Sequence, residues 1–228
     1  MSDESPPVPR APNVVRISTS TALVLLLFTL VFTALMAVTY QFTKSTIDAN
    51  ALAAKMELIG AVLPPAAYDN DLLKDAIDLP PTPELGTDAP SRVYRARKAG
   101  TPAALVIEAA APDGYSGRID LLIAVKAGGE LAAVRVTGHR ETPGLGDYID
   151  PKKDKNKARP WIAQFDNIGF DKVARTEWRV KKDGGRFEAH AGATISARAV
   201  TNAVGRALQY ANDNRERLFA TQAQEGKP

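Results

Sequence analysis

From Ile17 to Thr43 the chain runs through 27 consecutive residues without a formal charge, and no other feature constrains its fold as strongly. Within this run, residues 22–38 (ALVLLLFTLVFTALMAV) are apolar apart from Thr29 and Thr33. A hydrocarbon core of about 30 Å takes roughly 20 helical residues, and a threonine hydroxyl can bond back to a helix carbonyl. The run therefore predicts one transmembrane helix, over 17–41. A cleaved signal peptide would have a shorter apolar region ending in small residues of the A-x-A type. No such site precedes Tyr40, so the helix is read as an uncleaved anchor. Arg10 and Arg16 flank one side and Lys44 and Lys55 the other, a tie under the positive-inside rule. The short Pro-rich tail, residues 1–16, makes a cytoplasmic N-terminus and an exported remainder the simpler topology.

Past the anchor, the chain is long enough for one domain core. It has no Cys, which excludes disulfides, thiolate nucleophiles and Cys-ligated zinc or iron–sulfur clusters. Its two histidines, His139 and His190, are too few for a His-rich metal site. A net charge of +3 from 29 basic and 26 acidic residues is not a nucleic-acid-binding balance. No metal and no nucleic-acid partner are expected.

Ile47, Leu52, Met56, Ile59 and Leu63 suggest a helix continuing from the anchor, ended by Pro64-Pro65. A second short helix is expected over 70–79, and Pro80-Pro81-Thr82-Pro83 reads as a linker, so residues 42–90 form a helical and Pro-rich connection. The core is expected over 91–228. Short apolar or alternating runs at 93–97, 104–109, 119–125 and 131–137 predict strands, the last two joined by a hairpin at Lys126–Glu130. Two further strands are expected at 178–182 and 186–188 about Asp183-Gly184-Gly185. Ile195, Ala199, Ala203, Ala207 and Ala211, beside Val200, Val204 and Leu208, form one apolar stripe at helical spacing. The expected class is α+β: an anchor, then one exported domain with a small antiparallel sheet and a C-terminal amphipathic helix.

Two segments could carry chemistry. Residues 139–149 hold Pro143, Gly144 and Gly146 within four residues, presenting backbone amides and one exposed apolar side chain, Leu145. A structural turn would look the same. Residues 190–196 (HAGATIS) are almost without side chains and lead straight into the amphipathic helix. Thr194 could be an N-cap there. The same geometry, free amides at the positive end of a helix dipole, suits an anion such as phosphate. Lys152, Lys153, Lys155, Lys157 and Arg159 form either a docking surface or a solvated loop.

With Val62-Leu-Pro64, Tyr68-Asp-Asn70, Gly114-Tyr-Ser-Gly117, Glu141-Thr-Pro-Gly-Leu-Gly146, Gly184-Gly185 and Gly192-Ala-Thr-Ile-Ser196 in this order behind one anchor, the chain resembles the G subunit of the Rnf electron transport complex. More broadly, it is similar to the FMN-binding domains shared with the C subunit of the sodium-translocating NADH:quinone reductase. The resemblance implies FMN attached by a phosphoester to Thr194, placed there by a separate flavin transferase. It implies that Glu141, Thr142, Gly144, Leu145 and Gly146 lie along the isoalloxazine, with Gly192, Ala193, Ile195 and Ser196 near the phosphate. The transferase motif usually has Asp where this chain has Glu188, and often Ser or Thr where it has Ala191. His139 and His190 flank the two motifs, where they either tune the flavin electrostatically or serve as ordinary polar residues. The implied function is a membrane-anchored electron-transfer subunit with no catalytic acid or base of its own, in a bacterial inner-membrane ferredoxin:NAD oxidoreductase complex that moves ions. Other subunits of that complex are its implied partners, and the domain would be periplasmic. The alternatives are the quinone-reductase subunit or a non-redox exported assembly or sensor domain.

Overall fold

The computed structural model describes residues 13–221 and divides into two units, Met1–Ala54 and Lys55–Pro228. The tail expected at 1–16 lies mostly outside the described residues, Arg10 included. Helix α1 spans Val14–Val62 without a break. At about 1.5 Å per residue it is long enough to cross a bilayer, and its most apolar 18-residue window has a mean hydropathy of 2.6. Its threonines return their hydroxyls to the helix: Thr29 to the Leu25 carbonyl at 2.8 Å and Thr39 to that of Leu35 at 2.8 Å. Among the described residues α1 is the one helix long and apolar enough to cross a membrane, which suggests a single-pass anchor. Pro64 and Pro65 come directly after its end, as their missing N–H groups require.

In the second unit, five strands form one antiparallel meander in the order β1-β2-β3-β4-β5. They are β1 (Ala76–Leu79), β2 (Ser91–Lys98), β3 (Thr101–Gly114), β4 (Gly117–Lys126) and β5 (Leu131–Gly138). The pleat sends alternate residues to opposite faces, and both faces are covered. Ile77, Val93, Ile107, Ile123 and Val134 are register partners in one row across the sheet, and all are buried in the larger core. That core is closed by helix α2 (Thr194–Ala220), which lies across β3. The adjacent row, Ala76, Tyr94, Val106, Ala124 and Ala133, faces a smaller core completed by Ile59, Val62, Leu63 and Leu72.

Four expectations are corrected. The segment expected as a helix over 70–79 contains β1 instead, because Ile77 and Asp78 pair with Val93 and Arg92 at the sheet edge. The Pro-rich stretch is not a free linker: Thr82 and Thr87 bridge, and Leu85 is buried in the main core. The packed unit therefore begins well before Ser91, at Lys55. The two strands expected about Gly184-Gly185 are absent; short 3-10 turns at Arg175–Glu177 and Lys181–Asp183 take their place, with one bridge between Val180 and Phe187. Side-chain burial fixes this segment. Trp178, Phe187, Phe165 and Trp161 join an aromatic cluster with centroid separations of 4.8 to 5.5 Å, and the Trp178 indole donates to the Thr201 carbonyl at 3.1 Å.

The Arg95 guanidinium, on β2 and 2% exposed, ties the sheet to the far end of α2. It pairs with Asp75 at 2.5 Å and donates to the Leu218 carbonyl at 3.2 Å. Asp75 also holds Arg97 at 2.7 Å. A cation this deeply buried depends on such partners.

Candidate functional site

Three separate segments meet at the start of α2. The β3–β4 turn supplies Tyr115, the loop after β5 supplies Glu141, Thr142, Leu145 and Gly146, and the approach to α2 supplies Gly192, Ala193, Ile195 and Ser196. Together they line a cavity of about 230 Å³. Every site residue expected from the two motifs is at this cavity except Gly144 and Thr194, which sit in the same two loops without lining it.

The loop after β5 is folded on itself. Leu145 and Gly146 both donate to the Thr142 carbonyl at 3.1 Å, and Gly144 donates to the Asp147 carboxylate at 2.9 Å. Gly144 has φ +76 and Gly192 φ +84, left-handed conformations that favour glycine. Tyr148, in the 3-10 turn Gly146–Ile149, joins the two motif loops. Its hydroxyl donates to the Ala193 carbonyl at 3.2 Å and accepts the His190 amide at 3.2 Å. Burial pushes the Tyr148 hydroxyl above its ordinary value, so it remains the protonated donor this contact needs.

Glu141 is 4% exposed. One carboxylate oxygen accepts the Ser196 hydroxyl at 2.6 Å and the other accepts the Ser116 amide at 3.1 Å. The exposed large side chains of the lining are apolar or aromatic. Tyr115 is 67% exposed, Leu145 54% and Ile195 44%, and in the second unit Leu58 is the one other exposed large hydrophobic side chain among the described residues. Ile195 thus leaves the buried stripe expected of it. Of the first turn, Ile195 belongs to the rim, whereas Ser196 and Ala197 are buried and the expected stripe runs on from Ala199. Tyr115 lines the cavity but is not among the expected site residues, although an aromatic residue in a tight turn bounded by Gly114 and Gly117 was the available signal.

Thr194 is not the N-cap. Ala193 holds that position without a side-chain cap, and Thr194 is the first helical residue, half-buried. No capping bond occupies its hydroxyl. The Ala193 amide donates to the His190 carbonyl at 3.1 Å, whereas the next amides, of Thr194, Ile195 and Ser196, have no acceptor inside the helix. A hydroxyl free of any capping bond, unspent amides at the positive helix end and a cavity with an apolar rim fit a phosphate-bearing planar cofactor.

The histidines have structural partners. His139 Nδ1 accepts the Glu141 amide at 3.2 Å, and His190 stacks on Tyr148 with centroids 3.8 Å apart. Neither lines the cavity. The Glu188 side chain is exposed and paired with Lys181. The basic cluster is exposed on a loop built around the buried carboxylate of Asp154, which accepts the amides of Asn156 at 2.9 Å and Trp161 at 2.5 Å.

These features, an anchored α+β domain with a cavity at a helix start, define a cofactor-binding module, and comparison with known proteins specifies it. Residues 114–209 match the model of an FMN-binding domain, and residues 15–62 match that of the RnfG N-terminal region. The chain is 44% identical over 205 residues to the G subunit of the ion-translocating oxidoreductase complex of Pseudomonas aeruginosa (strain UCBPP-PA14), covering 90% of this chain and 94% of that one. It is 46% identical over 187 residues to the G subunit of Salmonella typhi, covering 82% and 87%. Against that of Shewanella baltica (strain OS223) it is 39% identical over 196 residues, covering 86% and 90%. The chain belongs to the family of G subunits of ion-translocating oxidoreductase complexes. The readings as a quinone-reductase subunit or a non-redox domain are not favoured by these relatives.

Proposed function

We propose that this chain is the membrane-anchored electron-transfer subunit of an Rnf-type ion-translocating oxidoreductase complex, carrying FMN esterified through its phosphate to the Thr194 hydroxyl. The observation that carries this reading is the meeting of the two motif loops at one cavity beside a threonine that no capping bond occupies. FMN, when bound, supplies one- and two-electron transfer, for which no protein acid or base is needed. The residues of the chain position it. The first-turn amides of α2 stabilise the remaining phosphodiester charge. Leu145, Ile195 and Tyr115 shield the ring from water, while Gly146, Gly192 and Ala193 let it approach the backbone. A covalent link also prevents loss of the cofactor into a dilute compartment. A separate flavin transferase forms the ester, and the other subunits of the complex deliver and remove the electrons.

The same reading puts the N-terminus in the cytoplasm and the unit from Lys55 onward in the periplasm. A reporter active only in the cytoplasm, fused after Pro228, is then expected to be silent; an active fusion overturns the topology. For the cofactor, the peptide containing Thr194 is expected to carry the mass of FMN when isolated from cells with the transferase and to lack it from cells without. The unmodified mass in both overturns the ester.

A further inference from the structure

We propose that Glu141 is a positioning residue with two effects: its carboxylate clasps the three walls of the flavin cavity together, and it places a fixed negative charge beside the flavin that lowers the reduction midpoint. The clasp follows from the contacts alone. Glu141 belongs to the loop after β5, yet its two oxygens are held by Ser116 of the β3–β4 turn and Ser196 of the first turn of α2. These are the three segments that line the cavity.

The surroundings are fitted to a carboxylate. A Cβ on Gly114 would come within 2.8 Å of one Glu141 oxygen, and a Cβ on Gly146 within 2.7 Å of the other. Gly146 therefore leaves room for the Glu141–Ser196 contact, while at Gly114 the Gly117 carbonyl, 2.3 Å from the same Cβ, already demands a glycine. No Lys, Arg or His lies within ion-pair distance of it among the described residues. Arg95, buried on β2, has its counter-ion; the buried Asp154, like Glu141, is held by neutral donors, but it lies outside the cavity lining. A buried carboxylate held only by neutral donors is costly to maintain. An amide would make the same clasp at lower cost, with its oxygen accepting from Ser116 and its nitrogen donating to the Ser196 hydroxyl. The excess is a charge, and it sits in the lining of the cavity. In a poorly solvated site such a charge acts on a neighbouring group far more strongly than in water. Adding electrons to a flavin beside it is disfavoured.

The charge rests on the FMN reading above; the clasp does not. The test uses the full-length chain in detergent, with Glu141→Gln and Glu141→Ala, from cells with and without the transferase. In the flavin-free proteins, amide exchange is measured over 114–118 and 197–200, the first hydrogen-bonded amides of α2. Glu141→Ala is expected to exchange at least tenfold faster there, and Glu141→Gln to match wild type. Wild-type protection in Glu141→Ala overturns the clasp; if that variant does not fold, fast exchange in Glu141→Gln overturns the claim that an amide can replace it. In the flavinylated proteins, Glu141→Gln is expected to shift the reduced-to-oxidised ratio at fixed poise at least tenfold toward reduced, about 30 mV for a two-electron couple. An unchanged or lowered midpoint overturns the charge. A wild-type chain without FMN overturns the ester reading and the charge together, while the exchange results still decide the clasp.

Discussion

Replacing Thr194 by Ala removes the one oxygen to which the proposed ester is made, and the position of that residue sets how much stability goes with it. Were Thr194 an N-cap, the change would cost about 0.5 to 2 kcal/mol. It is instead the first helical residue, and Ala193 holds the cap position. Two smaller effects remain. Alanine is better in a helix than threonine by up to about 0.7 kcal/mol. Against this, the half-buried γ-methyl is lost, worth about half of the roughly 0.8 kcal/mol of a fully buried methylene. These nearly cancel, so the flavin-free variant should lie within about 0.5 kcal/mol of wild type, or about 2 °C in Tm for a chain of this size. The assay pairs urea unfolding of flavin-free protein with the mass of the peptide containing residue 194 after expression with the transferase. The expected outcome is unchanged stability and no FMN mass; Thr194→Ser should keep the fold. A flavin-free loss above about 1.5 kcal/mol would show that the hydroxyl has a structural role after all. FMN mass persisting on Thr194→Ala would place the attachment elsewhere.

Leu145→Glu should shift the flavin spectrum or midpoint while the FMN mass at Thr194 persists, because Leu145 is a rim residue on a different loop; an unaltered redox titration would remove that loop from the flavin wall. Asp75→Ala strips the buried Arg95 of its counter-ion and should cost about 3 to 5 kcal/mol in urea unfolding, whereas a loss under about 1 kcal/mol would mean the carbonyls of the α2 end satisfy Arg95 alone. Asp166 gives a pH prediction. Burial pushes its carboxyl above the ordinary 3.8, outweighing the Arg135 guanidinium 3.7 Å away. The folded chain then holds this proton more tightly than the unfolded chain, so the contribution is complete below 3.8 and is lost as pH rises through the raised folded value. Asp166→Asn should therefore gain stability relative to wild type above that range and lose the advantage below pH 3.8, read from unfolding midpoints across pH.

The anchor, β2 to β5 and α2 were legible because each has a period or length that only one element satisfies. The misread segments are those where tertiary contact chose between periods. Leu72, Leu73, Ala76 and Ile77 recur at helical spacing, yet Ala76 and Ile77 form β1 because the edge of β2 offers unpaired backbone groups. Trp178, Val180 and Phe187 alternate as strand residues do, but the aromatic cluster takes up their side chains without a ladder. At the site, the two loops could be found from their glycines and the amphipathic helix behind them. The burial of Glu141 and its bonds to Ser116 and Ser196 could not, since the partners lie 25 and 55 residues away in sequence.

That separation bears on when the chain can acquire its cofactor. The meander pairs each strand only with its sequence neighbours, so the sheet can assemble progressively as residues 76–138 emerge. The cavity cannot: its last wall, Gly192 to Ser196, is formed by the approach to the closing helix and its first turn. An incompletely synthesised chain can possess most of its sheet and still lack both Thr194 and the cleft beside it. On the proposed ester reading, flavin loading on such a scaffold would report that folding has reached its end, making the modification a checkpoint on biogenesis as well as a source of redox chemistry.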